Sequence, residues 1–257
     1  MTPESIHDYF EIYPQMFLFW QVVSFILGCC IGSFLNVCIW RIPRGMSISS
    51  PPSHCPKCGH RISALENIPL LSWIFLGGKC HSCRSPITIR YFLVELMTGL
   101  LFALLFLKVM LMHQPPTVLF AYYVLTAIAV CSAFTDCELG VIPNEFTYFG
   151  MICGLGGAAA FPDAWGTDSR LTALLLSAVS LAGGGGLLAL CAIIGKKIFH
   201  REALGWGDVK LIAASGALIG LPGALFSVLA GSISGILGVP FLRLRKKYGR
   251  RKTLRFG

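Results

Sequence analysis

MFLFWQVVSFILGCCIGSFLNVCIW, residues 16–40, contains no charged side chain. Coiled as a helix at 1.5 Å per residue, such a run exceeds the roughly 30 Å of hydrocarbon in a bilayer. Working outward, apolar stretches of comparable kind recur at 91–112, 117–135, 146–161, 171–195, 209–221 and 223–242. The last two are kept apart because Pro222-Gly223 interrupts what would otherwise be a single helix of roughly 51 Å. The stretch 209–221 is short for a span and is expected to begin earlier or sit recessed. These runs predict an all-α polytopic membrane protein of about seven transmembrane helices.

The bulk composition agrees. Of 257 residues, 55% are hydrophobic and 13% charged, with a mean hydropathy of +0.71. That balance excludes a soluble enzyme, a disordered chain and a secreted disulfide scaffold. The 28 glycines and 14 prolines interrupt apolar runs, where helix interfaces and turns tolerate them.

The net charge of +9 reads as topology rather than nucleic-acid binding, because 18 of the 21 Lys and Arg fall in three segments. Residues 1–40 hold none. Loop 41–90 has seven, Lys196, Lys197 and Arg201 follow, and eight lie between Arg243 and Arg255. An odd number of spans puts all three segments on one face, which the positive-inside rule assigns to the cytoplasm, with the N-terminus outside. The first span lacks a basic leader and a cleavage site, so it is expected to be retained rather than removed as a signal peptide. The resulting divisions are 1–40, outward N-terminus and first helix; 41–90, cytoplasmic loop; 91–242, membrane core; and 243–257, a basic tail suited to anionic lipid.

Loop 41–90 carries Cys55-Pro56-Lys57-Cys58 and, after 21 intervening residues, Cys80-His81-Ser82-Cys83. Two C-x-x-C knuckles turn four thiolates toward one tetrahedral zinc. A cytoplasmic loop stays reduced, which argues against disulfides. With Cys55, Cys58, Cys80 and Cys83 as ligands, no coordination position is left for a catalytic water, so a single zinc per chain is structural. In a loop this small the metal supplies much of the folding free energy. His54, His60 and His81 read as bystanders, with exchange of one for a cysteine ligand as the variant. The remaining seven cysteines sit in or beside apolar spans, where a small buried hydrophobe is the default.

Carboxylates beside hydrocarbon demand an account. Asp136 ends the third span in FTDCELGVIPN and Asp208 opens the sixth in LGWGDVKL. Odd spans run inward and even spans outward, which brings both to the cytoplasmic end of their helices. Asp208 alone could be a helix cap, and Asp136 alone an ordinary loop carboxylate. Together, beside a Gly205–Gly207 pair that lets another backbone approach, they form a paired-carboxylate site for amide hydrolysis. The positive end of a helix favours an anion at Asp208 and the negative end an acid at Asp136, which assigns Asp208 as initial base.

The segments Gly32–Gly45, Ser53–His60, Asn67–Trp73, Cys80–Glu95, Asp136–Asn144 and Gly205–Leu211, taken in this order, resemble the bacterial type IV prepilin peptidases, membrane aspartic proteases with a G-x-G-D signature. The resemblance covers nearly the whole chain. It implies that Asp136 and Asp208 are the catalytic aspartates and that the four cysteines bind zinc. It further implies removal of the leader peptide from prepilins and pseudopilins at the cytoplasmic face of the bacterial inner membrane, in pilus or type II secretion systems. Many members then methylate the new N-terminal amine with S-adenosylmethionine. Glu138 and Asn144 stand where the family often has aspartates. Asn144 is expected to cap the next helix, with a bond to substrate as the alternative.

The cofactor site is not legible, because no strand, glycine loop and helix unit is present to cradle it. The runs 154–157 and 183–186 read as helix-packing glycines. Arg41, Arg44 and Arg90 are candidates for the cofactor carboxylate, against the simpler topological reading. Glu95 is expected to bond within the bundle. Two rival classes are a proton-coupled transporter, which calls for acids near the midplane and an internal repeat, and a zinc module that only recruits partners.

Overall fold

The computed structural model describes residues 10, 12–200 and 204–244. The acidic N-terminus, Arg201 and the basic tail from residue 245 onward lie outside the described residues. The order is α1 (Pro14–Arg41), α2 (Leu71–Phe75), α3 (Arg90–Leu111), α4 (Val118–Leu139), α5 (Asn144–Ala160), α6 (Arg170–Phe199) and α7 (Trp206–Leu244). Among the described residues there is no strand, only isolated bridges at His54–Arg61 and Lys79–Pro86.

All seven expected apolar stretches are helical, but the count of seven spans is not confirmed. Among the described residues, five helices are long and apolar enough to cross a membrane. At 17 residues, α5 covers only roughly 26 Å. The last two expected stretches both fall in α7, whose helical backbone breaks at Gly220 (φ 77°, ψ 167°), two residues before the expected turn. Pro222 cannot donate to the carbonyl four residues back and collides with it. The distortion settles on Gly220, which takes positive φ without a Cβ penalty. The same helix begins at Trp206, so the short stretch 209–221 does start earlier than its apolar run.

The chain forms two compact units, residues 1–119 with 129–131, and 120–128 with 132–257. Residues of α4 are divided between them. In the first unit α1 lies against α3 through absent side chains. A Cβ on Gly28 would stand 2.7 Å from the Thr98 carbonyl oxygen, and one on Gly32 2.8 Å from Glu95 Cα. Asn36 Nδ2 donates to the Tyr91 carbonyl at 3.2 Å and Gln21 Nε2 to Ala103 at 2.9 Å.

The second unit is assembled the same way. Gly154 of α5 meets Ala217 of α7, Gly157 meets Phe120 of α4, and Gly185 of α6 meets Ala213 of α7. The Ser177 hydroxyl donates to the Ala217 carbonyl at 2.8 Å. Hydroxyl side chains are inside, including Ser132, Thr135, Thr147 and Ser177, while Ile152, Val179 and Phe226 are outside at 70, 65 and 71% exposure. Buried hydroxyls and exposed large apolar side chains suit a lipid surround, where close backbone approach and interhelical hydrogen bonds join the helices.

Candidate functional site

Each aspartate is placed by a helix end. Asp136 lies in the last turn of α4, which closes through the Gly140 amide donating to the Asp136 carbonyl at 2.8 Å. Gly140 holds the left-handed conformation (φ 70°) of a helix C-cap. Asp208 lies in the first turn of α7 and accepts from the Gly205 amide. That contact resembles the return half of a capping box, so the cap reading of Asp208 holds alongside any chemical role.

The two glycines of GWGD make room on either side of the helix start. A Cβ on Gly205 would lie 3.3 Å from Asp208 Oδ2, and one on Gly207 would lie 3.0 Å from Ile142 Cβ. Gly207 thus seats the segment that follows Asp136 against the start of α7. As a result the charge of Asp136 bears directly on Asp208, and both side chains are half-buried.

Residues near the pair also differ from expectation. Asn144 does not cap α5, whose N-cap position is Pro143 without a side-chain hydrogen bond. Its Oδ1 instead accepts from Lys210 Nζ at 2.7 Å, and the same ammonium stands 5.3 Å from the Tyr148 ring. Lys210, two residues beyond Asp208, had no role assigned from sequence. A cation inside an apolar helix needs a partner, which was the available signal.

The four expected zinc ligands converge in the first unit. Each knuckle folds alike, with Cys55 N–H donating to His60 and Cys80 N–H to Ser85 at 2.9 and 2.8 Å. The residue after each second cysteine, Gly59 or Arg84, has positive φ. Sulfurs Cys55–Cys83 and Cys58–Cys80 are 3.8 and 3.9 Å apart, and all four Sγ lie within 4.8 Å of one another. Four sulfurs at about 2.3 Å from zinc define a tetrahedron of edge about 3.8 Å. The cluster can therefore hold a metal such as zinc.

Its electrostatics ask for a cation. Amides of Cys58 and Lys57 bring the Cys55 thiol down to about 6, and the Ser85 hydroxyl lowers Cys83. Cys58 is favoured as thiolate by the His60 amide, yet desolvation and the sulfurs of Cys83, Cys55 and Cys80 push it up to about 11. No histidine enters this cluster. His54 Nδ1 sits 2.9 Å from the Pro52 carbonyl oxygen, while His60 and His81 face Glu66.

A cavity of about 410 Å³ in the first unit is lined by Ser33, Phe34, Arg41, Ser49, Ser53 and Asn67, among others. Of the three candidate arginines only Arg41 borders it. The buried Arg41 guanidinium donates to the Ser47 and Pro51 carbonyls at 2.9 and 2.7 Å, which shapes the wall. Arg44 stacks 3.6 Å over Trp40 and donates to its carbonyl. Glu95 bonds within the bundle through Ser33, as expected, and also reaches the loop. Its Oε2 accepts the Leu70 amide at 2.8 Å, and Ser33 also hydrogen-bonds to it.

Comparison with known proteins matches residues 26–109 to the bacterial peptidase A24 N-terminal domain and residues 123–239 to the type IV leader peptidase family. A prepilin leader peptidase/N-methyltransferase of Myxococcus xanthus (strain DK1622) is 40% identical over 241 residues, covering 92% of this chain and 67% of its own length. The chain belongs to the type IV leader peptidase family. Within that family, a Neisseria gonorrhoeae protein of the same description is 32% identical, with 86 and 82% coverage. A type 4 prepilin-like proteins leader peptide-processing enzyme of Escherichia coli O78:H11 is 35% identical, with 90 and 89% coverage. No solved structure gives a significant match. Membership in a membrane peptidase family, with five span-length apolar helices, makes this a multi-pass membrane enzyme and disfavours the transporter reading.

Proposed function

We propose that this member of the leader peptidase family removes the leader from type IV prepilins and pseudopilins at the cytoplasmic face of the inner membrane, with Asp136 and Asp208 as catalytic residues. The observation that supports the reading is that the charge of Asp136, at the end of α4, bears on Asp208, 72 positions away in sequence at the start of α7. In the proposed reaction the ionised Asp208 takes a proton from water as its oxygen attacks the scissile carbonyl carbon. The acid of Asp136 gives its proton to the carbonyl oxygen. Asp208 then protonates the departing amide nitrogen while Asp136 recovers a proton from the tetrahedral intermediate. One water is consumed, leaving a leader carboxylic acid and a free N-terminal amine. The place of Asp208 in the first turn of α7 supports its role as the base.

Zinc held by Cys55, Cys58, Cys80 and Cys83 organises the loop. The proposed arrangement places loop, dyad and C-terminus in the cytoplasm and the N-terminus outside, as the Lys and Arg distribution favours. The Myxococcus xanthus and Neisseria gonorrhoeae relatives carry the description N-methyltransferase, which supports methylation of the new amine as a second activity. S-adenosylmethionine, when bound, supplies an electrophilic methyl group. The cavity of about 410 Å³ has a cofactor's dimensions, and its mixed lining fits such a molecule, with Ser33, Arg41 and Asn67 as holding residues.

Purified chain in detergent, a synthetic precursor peptide and mass spectrometry test the reading. Leader loss is expected without added cofactor, and a further one-methyl gain with it. An intact precursor would overturn the peptidase assignment. A cleaved but never methylated product would overturn only the second activity.

A further inference from the structure

Beside the four-thiolate cluster, the loop brings together a second donor set that neither the peptidase nor the zinc reading uses. His60 Nε2 lies 3.2 Å from both carboxylate oxygens of Glu66, and His81 Nδ1 lies 3.5 Å from Oε1 of the same group. The three ligand atoms lie within 4.8 Å of one another. The carboxylate is fixed before any ion arrives, because the Ser63 amide donates to Oε2 at 2.8 Å and the Glu66 amide returns a bond to Ser63 Oγ at 3.4 Å. Oε1 is left facing the two imidazoles.

Three features separate this arrangement from a simple ion pair. One carboxylate can neutralise one imidazolium, yet two rings converge on it with centroids 6.2 Å apart. Nitrogen and oxygen ligands at about 2.0–2.1 Å from a tetrahedral zinc stand about 3.3–3.4 Å apart, and the two nitrogen–oxygen separations bracket that edge. His81 is 65% exposed on its side chain whereas Glu66 is 17% exposed, giving an ion a solvent approach to an otherwise sheltered oxygen.

We propose that His60, Glu66 and His81 bind a second divalent ion of the zinc class, with water at the remaining position, separate from the four-cysteine zinc. Two imidazoles and a carboxylate suit zinc and its neighbours in the first transition row rather than calcium or magnesium. Three protein ligands leave an exchangeable position, in contrast to the closed thiolate site.

The test is equilibrium dialysis of the full chain in detergent, without a polyhistidine tag, against buffered free zinc. Two zinc ions per chain are expected for the wild type and one for His60→Ala and for His81→Ala. The four cysteines should resist alkylation equally in all three proteins. One ion in the wild type, or two retained in both variants, would overturn the proposal. A second measurement needs no variant: cobalt titrated into wild type loaded with only one zinc per chain, its four cysteines resistant to alkylation, should give d–d absorption saturating at one further ion, without a thiolate charge-transfer band. Absence of that absorption, or a thiolate band, would equally overturn it.

Discussion

Substituting alanine at two glycines of one helix should change stability in opposite directions. On α5, a Cβ at Gly154 would stand 2.6 Å from Ala217 Cβ, 2.7 Å from its carbonyl carbon and 2.8 Å from its oxygen, whereas one at Gly156 meets nothing within 4 Å. Ordinary carbon contacts need about 3.5 Å or more, so Gly154→Ala forces α5 and α7 apart by nearly an ångström. The obstacle is largely backbone and cannot swing away. Overpacking of this kind costs about 1–3 kcal/mol, against a helix-propensity gain of about 1 kcal/mol for Gly to Ala. Gly156→Ala collects the gain alone. The two variants should therefore differ by about 2 kcal/mol, a factor of about thirty in the unfolding equilibrium. Unfolding in mixed micelles with increasing denaturing detergent, followed by helical circular dichroism, measures this. Equal stability of the two variants would refute the claim that absent side chains set the α5–α7 contact.

The zinc loop and its tether give further expectations. Chelation, or Cys55→Ser, should accelerate amide exchange across residues 53–87 while leaving exchange in α5 and α6 unchanged, since the metal stabilises the loop and not the second unit. Glu95→Ala removes the acceptor of the Leu70 amide, a residue held at φ 62°. It should destabilise that anchorage by about 1–3 kcal/mol, read as faster exchange around residues 68–76. Glu95→Gln keeps an acceptor oxygen and should lose less, and in neither variant should leader cleavage change as much as when an aspartate is removed.

Sequence legibility varied with the range of the interaction. Both knuckles were readable because their ligands repeat at one local spacing, and the glycine clusters because their alternatives in an apolar helix are few. Topology alone puts the aspartates on one face, whereas the packing of Ile142 against Gly207, which seats the segment after Asp136 on the start of α7, is something no spacing reveals. Pro222 marked the break in α7, but the chain relieves the clash two residues earlier, at the nearest glycine. Asn144 was misassigned as a cap because its partner, Lys210, lies 66 residues away. The His60, Glu66 and His81 set was hidden for the same reason: its members come from both knuckles and from the segment between them. Span number resisted sequence reading because a 17-residue helix and a broken long one sit at the margin of what composition can decide.

The account rests on Asp136 and Asp208 acting as one catalytic unit. Single-turnover cleavage of a precursor peptide by Asp136→Asn and Asp208→Asn, each verified as folded by its unfolding curve, tests it most directly. Each variant is expected to lose about a thousandfold or more in cleavage rate, as when members of a cooperating catalytic set are removed. Cleavage within about tenfold of wild type by either folded variant would contradict it, since a paired mechanism leaves neither carboxyl dispensable.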